Sequence, residues 1–171
     1  DVPNKDSHYA YDARGNVVSM IDRLGRETTV QYDAFNREIR TTSPGLVETI
    51  ARHDDRGSSL SIRVGGASGR LTTWTYDADG QLKTTVNAVG STVTNTYDTA
   101  GHLYETTDPR GTTVRYAYDA AGRVLTQTID PAGLALTTTY EYDAKGRQVA
   151  VTDAANRKTR IDYNLRGEQT D

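Results

Sequence analysis

The stretch YDAAGRVLTQTIDPAG, residues 118–133, carries two turn signals one short strand-length apart. In Tyr118-Asp119-Ala120-Ala121-Gly122-Arg123, and again in Asp130-Pro131-Ala132-Gly133, an aspartate is followed by small residues or proline and then by glycine. Such an aspartate accepts hydrogen bonds from backbone N–H groups two or three residues on. The glycine takes a positive φ that other residues resist. A segment of strand-forming residues lies between the two signals. The whole stretch reads as a β-hairpin.

Working outward, the first signal recurs along the chain. It appears as Tyr11-Asp12 with Gly15, Tyr32-Asp33, Tyr76-Asp77 with Gly80, Tyr97-Asp98 with Gly101, Tyr118-Asp119 with Gly122, and Tyr142-Asp143 with Gly146. Degenerate copies stand at His53-Asp54 and Tyr163-Asn164, and successive first positions differ by 21, 21, 23, 21, 21, 24 and 21 residues. Such regularity marks a repeat architecture. Residues 1–171 therefore read as one array of about seven to eight repeats of roughly 21 residues, cut from a longer chain. The second signal falls between the copies, at Asp22-Arg23-Leu24-Gly25, Asp108-Pro109-Arg110-Gly111 and Asp153-Ala154-Ala155-Asn156, with weaker forms at Ser43-Pro44-Gly45 and Asn87-Ala88-Val89-Gly90. Asn36 and Asn156 stand where glycine is missing, and asparagine is the best-tolerated substitute at positive φ. The longer spacings are expected to be absorbed by the Gly65-Gly66-Ala67-Ser68-Gly69 loop and by the stretch after Gly133.

Between turns the residues alternate with period two. One side reads Thr28, Val30, Tyr32, then Thr72, Trp74, Tyr76, then Val114, Tyr116, Tyr118; the other carries Gln31, Thr75, Arg115, Glu141 and Arg160. That pattern predicts antiparallel strands with one packed and one wet face. Fully burying a large apolar side chain contributes roughly 1.5–3 kcal/mol, against about 1–2 kcal/mol per residue for ordering the backbone. An isolated hairpin cannot meet that cost, so the hairpins must join into a continuous sheet stabilised by nearest-neighbour contacts. Arg37, Arg123 and Arg147, which follow the turns, are expected to form ladders with the motif aspartates of neighbouring hairpins.

Composition limits the function. Only 35% of the 171 residues are hydrophobic, and eleven of the aromatics are tyrosine, which favours a thin buried layer over a thick core. The net charge of -3 and the lack of a Lys/Arg cluster give no footprint for nucleic acid. No apolar run approaches the roughly 20 residues that span a bilayer, and DVPNKDSHYAYD has no signal-peptide pattern. Cysteine is absent, which removes disulfides and thiolate metal sites.

Chemistry is hard to place on this pattern. His8, His53 and His102 have no partner at ligand spacing, and His53 replaces a motif tyrosine. Asp77-Ala78-Asp79-Gly80 opens like a calcium loop but lacks the closing glutamate. Gly65 to Gly69 has no Lys-Ser/Thr ending for phosphate. No pair of carboxylates is singled out, and the motif aspartates recur too regularly to be one active site. No catalytic residue, metal or cofactor is expected, and the chain reads as a non-enzyme. The tyrosines also admit a carbohydrate-binding or surface-adhesion reading, because sugars stack on aromatic faces. Their i, i+2 spacing, as in Tyr116 and Tyr118, follows a strand face and is explained by packing.

The alternation of Tyr118-Asp119-Ala120-Ala121-Gly122-Arg123 with Thr107-Asp108-Pro109-Arg110-Gly111 resembles the YD repeats of Rhs proteins, bacterial polymorphic toxins with relatives among insecticidal toxin complex C subunits, wall-associated toxins and teneurins. The resemblance covers essentially the whole chain. It implies an all-β fold of tandem antiparallel hairpins in a curved, spiralling sheet that forms part of a hollow shell. It further implies a secreted or cell-surface parent whose shell encloses a C-terminal toxin, with adjoining repeats and that segment as partners. Glycans are the alternative partner; nucleic acid and membrane insertion are not expected of this segment. The family's self-cleavage motif, D-P-x-G-L, matches Asp130-Pro131-Ala132-Gly133-Leu134, but this stretch sits at a second-turn position with further repeats after it, so it is read as a turn.

Overall fold

The computed structural model describes residues 6–170, and these form strands and turns without any helix. Seventeen strands follow in chain order. The first eight are β1 (His8–Tyr11), β2 (Val17–Ile21), β3 (Glu27–Tyr32), β4 (Glu38–Ser43), β5 (Val47–His53), β6 (Ser59–Val64), β7 (Arg70–Tyr76) and β8 (Leu82–Val86). The rest are β9 (Thr92–Tyr97), β10 (Leu103–Thr107), β11 (Thr113–Tyr118), β12 (Val124–Ile129), β13 (Leu136–Tyr142), β14 (Gln148–Thr152), β15 (Lys158–Arg160), β16 (Asp162–Tyr163) and β17 (Gln169–Thr170). Two units are distinguishable: one runs to Gly80 and includes Thr84–Ser91, the other comprises Gln81–Lys83 and the chain from Thr92 onward.

In the first unit β1 to β7 pair in sequence order, every pairing antiparallel. In the second, β9 to β15 do the same, and β16 pairs with β17 in a separate hairpin. The fold is thus all-β, a tandem run of antiparallel hairpins.

The hairpins closed at Tyr11, Tyr32, His53, Tyr97, Tyr118 and Tyr142 each contain a β-bulge at that residue. Tyr118 pairs with Val124 while Ala117 pairs with Thr126, so Leu125 is the extra residue. The same slip leaves Val18, Ile39, Leu60, Tyr104 and Val149 as the extra residues elsewhere. All are apolar, and a bulge re-aims the strand locally without ending the pairing.

The longer spacings are not absorbed as the glycine-rich loop suggests. Val64–Arg70 encloses residues 65–69 and Thr107–Thr113 encloses 108–112, loops of equal length. The additional residues lie in the strands: β6 and β7 have 6 and 7 residues where β10 and β11 have 5 and 6. One residue added to each of two paired strands extends the ladder by a pair and keeps its register. In the 24-residue repeat, β12 and β13 are lengthened in the same way and the loop 130–135 takes one residue more.

The packed face departs further from expectation. Among the described residues only Ala150 is buried, at 2% exposure; the motif tyrosines from Tyr32 onward are half-buried, and Tyr11 is 58% exposed. Among the described residues, the tyrosine side is left partly open to solvent in both units. Alternation specifies which side is apolar, but it cannot supply what covers it.

Candidate functional site

The repeating unit is built from its turn. In the 118–123 copy the Asp119 backbone N–H donates to the Arg123 carbonyl at 2.9 Å, and the Gly122 N–H donates to the Asp119 carbonyl at 3.0 Å. One carboxylate oxygen, Oδ1, accepts the N–H groups of Ala121 at 2.9 Å and Arg123 at 3.0 Å. The other, Oδ2, accepts Nε of Arg123 at 2.6 Å. The aspartate thereby closes the loop through backbone and side chain together. Asp33 with Arg37 and Asp143 with Arg147 repeat this arrangement. Asp12 uses Asn16, and Asp98 uses His102 at 3.1 Å. Gly15, Gly80, Gly101, Gly122 and Gly146 all adopt φ between 77° and 88°, and Asn36 and Asn156 take 62° and 61°.

These contacts stabilise the ionised carboxylates. The Arg123 side-chain hydrogen bond, followed by the Arg123 N–H, holds Asp119 below the ordinary 3.8. For Asp33 and Asp143 the backbone N–H of Arg37 and Arg147 is the leading cause of the same downward shift, and for Asp98 it is the N–H of His102.

The motif tyrosine links one repeat to the one before it. The Tyr118 hydroxyl donates to the Leu103 carbonyl at 2.8 Å. Tyr32 reaches Val17, Tyr76 reaches Ser59, Tyr97 reaches Leu82, Tyr142 reaches Val124 and Tyr163 reaches Gln148, at 2.8–3.0 Å. The acceptor is in each case the first strand residue after the preceding motif turn, which for Tyr76 is the His53-Asp54 turn. This rung was not foreseen in the sequence, although its trace is there: Val17-Val18, Leu103-Tyr104 and Val124-Leu125 break strict alternation where the bulge forms. His53 makes the equivalent contact through Nε2 to the Glu38 carbonyl at 3.3 Å. Because that carbonyl only accepts, Nε2 carries the hydrogen, and Nδ1 is left buried with no partner.

The residue that ends the turn stacks on the next tyrosine. Arg123 lies 4.7 Å from the Tyr142 ring centroid and Arg147 lies 4.4 Å from that of Tyr163. His102 stacks on Tyr118 at 4.7 Å. The expected ladder is corrected accordingly. Arg37, Arg123 and Arg147 pair with the aspartate of their own turn and meet the neighbouring hairpin through its tyrosine ring or, for Arg37, through the Asp54 carbonyl at 2.6 Å. The i, i+4 reach within a turn is shorter than the gap to the next carboxylate, so the nearer partner wins.

Each motif residue thus occupies its own turn, and they do not converge on a common centre. Asp77 and Asp79 belong to a turn in which the Asp79 N–H donates to Asp77 Oδ1 at 3.0 Å. The N–H groups of Gly65 and Gly66 are taken by the Glu48 carbonyl. The Asp130 stretch is a loop: Gly133 N–H donates to the Asp130 carbonyl and Leu134 N–H to its carboxylate, both at 3.0 Å. Among the described residues no three His, Cys, Asp or Glu side chains are grouped to hold a metal.

A string of bulged hairpins, tied turn to turn by tyrosine, defines a structural repeat protein. The RHS Repeat family profile matches residues 11–45, 97–135 and 135–158, more than half of the chain, and the chain belongs to that family. It is 34% identical over 86 residues to the Toxin protein Tse5 of Pseudomonas aeruginosa, a match that spans 50% of this chain and 6% of that protein. Among solved structures, the chain aligns over 96% of its length with TcdB2-TccC3, covering 12% of that chain at 15% identity and a TM-score of 0.43. The Photorhabdus luminescens Tc holotoxin pore aligns over the same 96%, covering 12% of that chain at 16% identity and a TM-score of 0.41.

Proposed function

We propose that this chain is a non-catalytic length of wall, part of a repeat shell that encloses a C-terminal toxin or effector segment of a secreted parent. The observation that carries this reading is the rung from each motif tyrosine to the preceding repeat. It joins neighbours without limiting their number, which suits a sheet extended by adding repeats and does not suit a single-site enzyme. The apolar, partly open tyrosine side is where an enclosed segment would lie, and similarity to a toxin protein agrees with such a cargo. The partners are then the adjoining repeats and the enclosed segment.

Limited proteolysis of the full-length parent with mass mapping tests this. A C-terminal fragment that survives together with the repeats supports enclosure. Rapid loss of everything outside the repeats overturns it, and a glycan-binding screen of the exposed aromatics follows.

A further inference from the structure

We propose that the sheet face opposite the tyrosines carries a binding site for a small amphiphilic carboxylate, an apolar body with one anionic head, across β5, β6 and β7. Register places two rows of side chains there. Arg52 lies opposite Ser61 and Ser61 opposite Thr73; Ile50 lies opposite Arg63 and Arg63 opposite Leu71. Elsewhere this face is mostly Thr, Ser, Gln, Glu, Arg and Ala, with Ile21 as another aliphatic, and here Ile50 and Leu71 flank Arg63 directly. They floor a cavity of about 420 Å³, within the ~300–1,000 Å³ usual for small-ligand sites.

The loop between β6 and β7 supplies a wall through Ala67. Arg63 Nη1 donates to the Ala67 carbonyl at 2.7 Å and holds the loop over the face. The loop has little latitude, because a Cβ at Gly69 would overlap the Val64 carbonyl. The glycine-rich second turn, residues 65–69, thus stands directly beside this cavity.

Charge selects the occupant. Arg40, one strand away on the same face, is neutralised by Glu48 at 2.9 Å. Among the described residues the Arg52 side chain forms no hydrogen bond or ion pair, and Arg63 forms no ion pair. Two guanidinium groups on diagonal cross-strand positions repel each other, and an anion between them removes that cost. A carboxylate matches the guanidinium fork, and the Ser61 and Thr73 hydroxyls offer further donors. The mostly apolar lining receives the body. A peptide is disfavoured because the cavity is half-enclosed by the loop. The site stands independently of the wall reading.

The test is a ¹H–¹⁵N NMR titration of the full chain with octanoate, octanamide and acetate. Octanoate is expected to give saturable shifts at residues 50–52, 61–63 and 71–73, binding at least about tenfold more tightly than the neutral amide or the headgroup alone. Arg52→Gln, at an exposed side chain that holds nothing in place, is expected to weaken octanoate by at least about tenfold. Lack of saturation, discrimination below tenfold, or an unchanged Arg52→Gln affinity overturns the proposal. The octanoate–octanamide comparison on the unaltered chain decides the matter even if the variant folds poorly.

Discussion

The hydroxyl of Tyr118 donates to the carbonyl of Leu103, and phenylalanine in its place would keep the ring while leaving that carbonyl without its donor. Tyr118→Phe is expected to cost about 1 kcal/mol in denaturant unfolding. Tyr116→Phe on the same strand is the control: no hydrogen bond to the Tyr116 hydroxyl occurs among the described residues, and the change should stay within about 0.5 kcal/mol. His53 is the converse case. Its imidazole makes the longest rung, 3.3 Å, and leaves Nδ1 buried and unpartnered. His53→Tyr should therefore raise stability by about 0.5–1.5 kcal/mol, read from the shift in unfolding midpoint. At this scale much was legible: aspartate for the turn, glycine or asparagine for positive φ, tyrosine at fixed spacing. The hydroxyl's partner was not, because naming it requires knowing that the strand bulges and which carbonyl then faces the ring.

At the scale of the hairpin, the turn-ending arginine serves two contacts at once, the carboxylate behind it and the tyrosine ring ahead. Arg123→Ala removes both the Asp119 pair and the Tyr142 stack, and should lower the thermal midpoint by about 1–4 °C. Arg123→Lys should recover only part of the loss, since an ammonium keeps the charge but lacks the planar fork. An unchanged midpoint for Arg123→Ala would mean the stack is incidental. The sequence pointed to arginine as a link between hairpins and misplaced its partner, since neither i, i+4 reach nor ring position is written in a repeat period. Strand length was misread for a related reason. Gly65 to Gly69 look like an insertion by composition, yet the ladder accommodates the extra residues in pairs.

Over the whole chain, the turn carboxylates act together. Asp33, Asp98, Asp119 and Asp143 all titrate below 3.8 when folded, so the folded state binds protons less readily than the unfolded chain. Their contribution is complete above the unfolded value and is lost as pH falls through the lower folded values. Stability should be flat from neutrality to about pH 5 and fall below about pH 4, with the turns failing over the same interval. Chemical denaturation across pH 2.5–7 measures this, and a maximum on the acid side would refute it. The all-β class and the repeat register were readable from periodicity, because alternation and turn chemistry are local. What the apolar side packs against was not readable, because alternation marks the side without naming its cover, and the described residues leave it partly exposed.

Every tyrosine rung points the same way, from a later repeat back to an earlier one. A chain synthesised from its N-terminus thus presents the accepting carbonyl before the donating hydroxyl emerges. Each new hairpin can dock on a completed neighbour as it leaves the ribosome, with no need to wait for distant sequence. The polarity of the rungs is thus compatible with assembly by courses, each hairpin laid on the one before it.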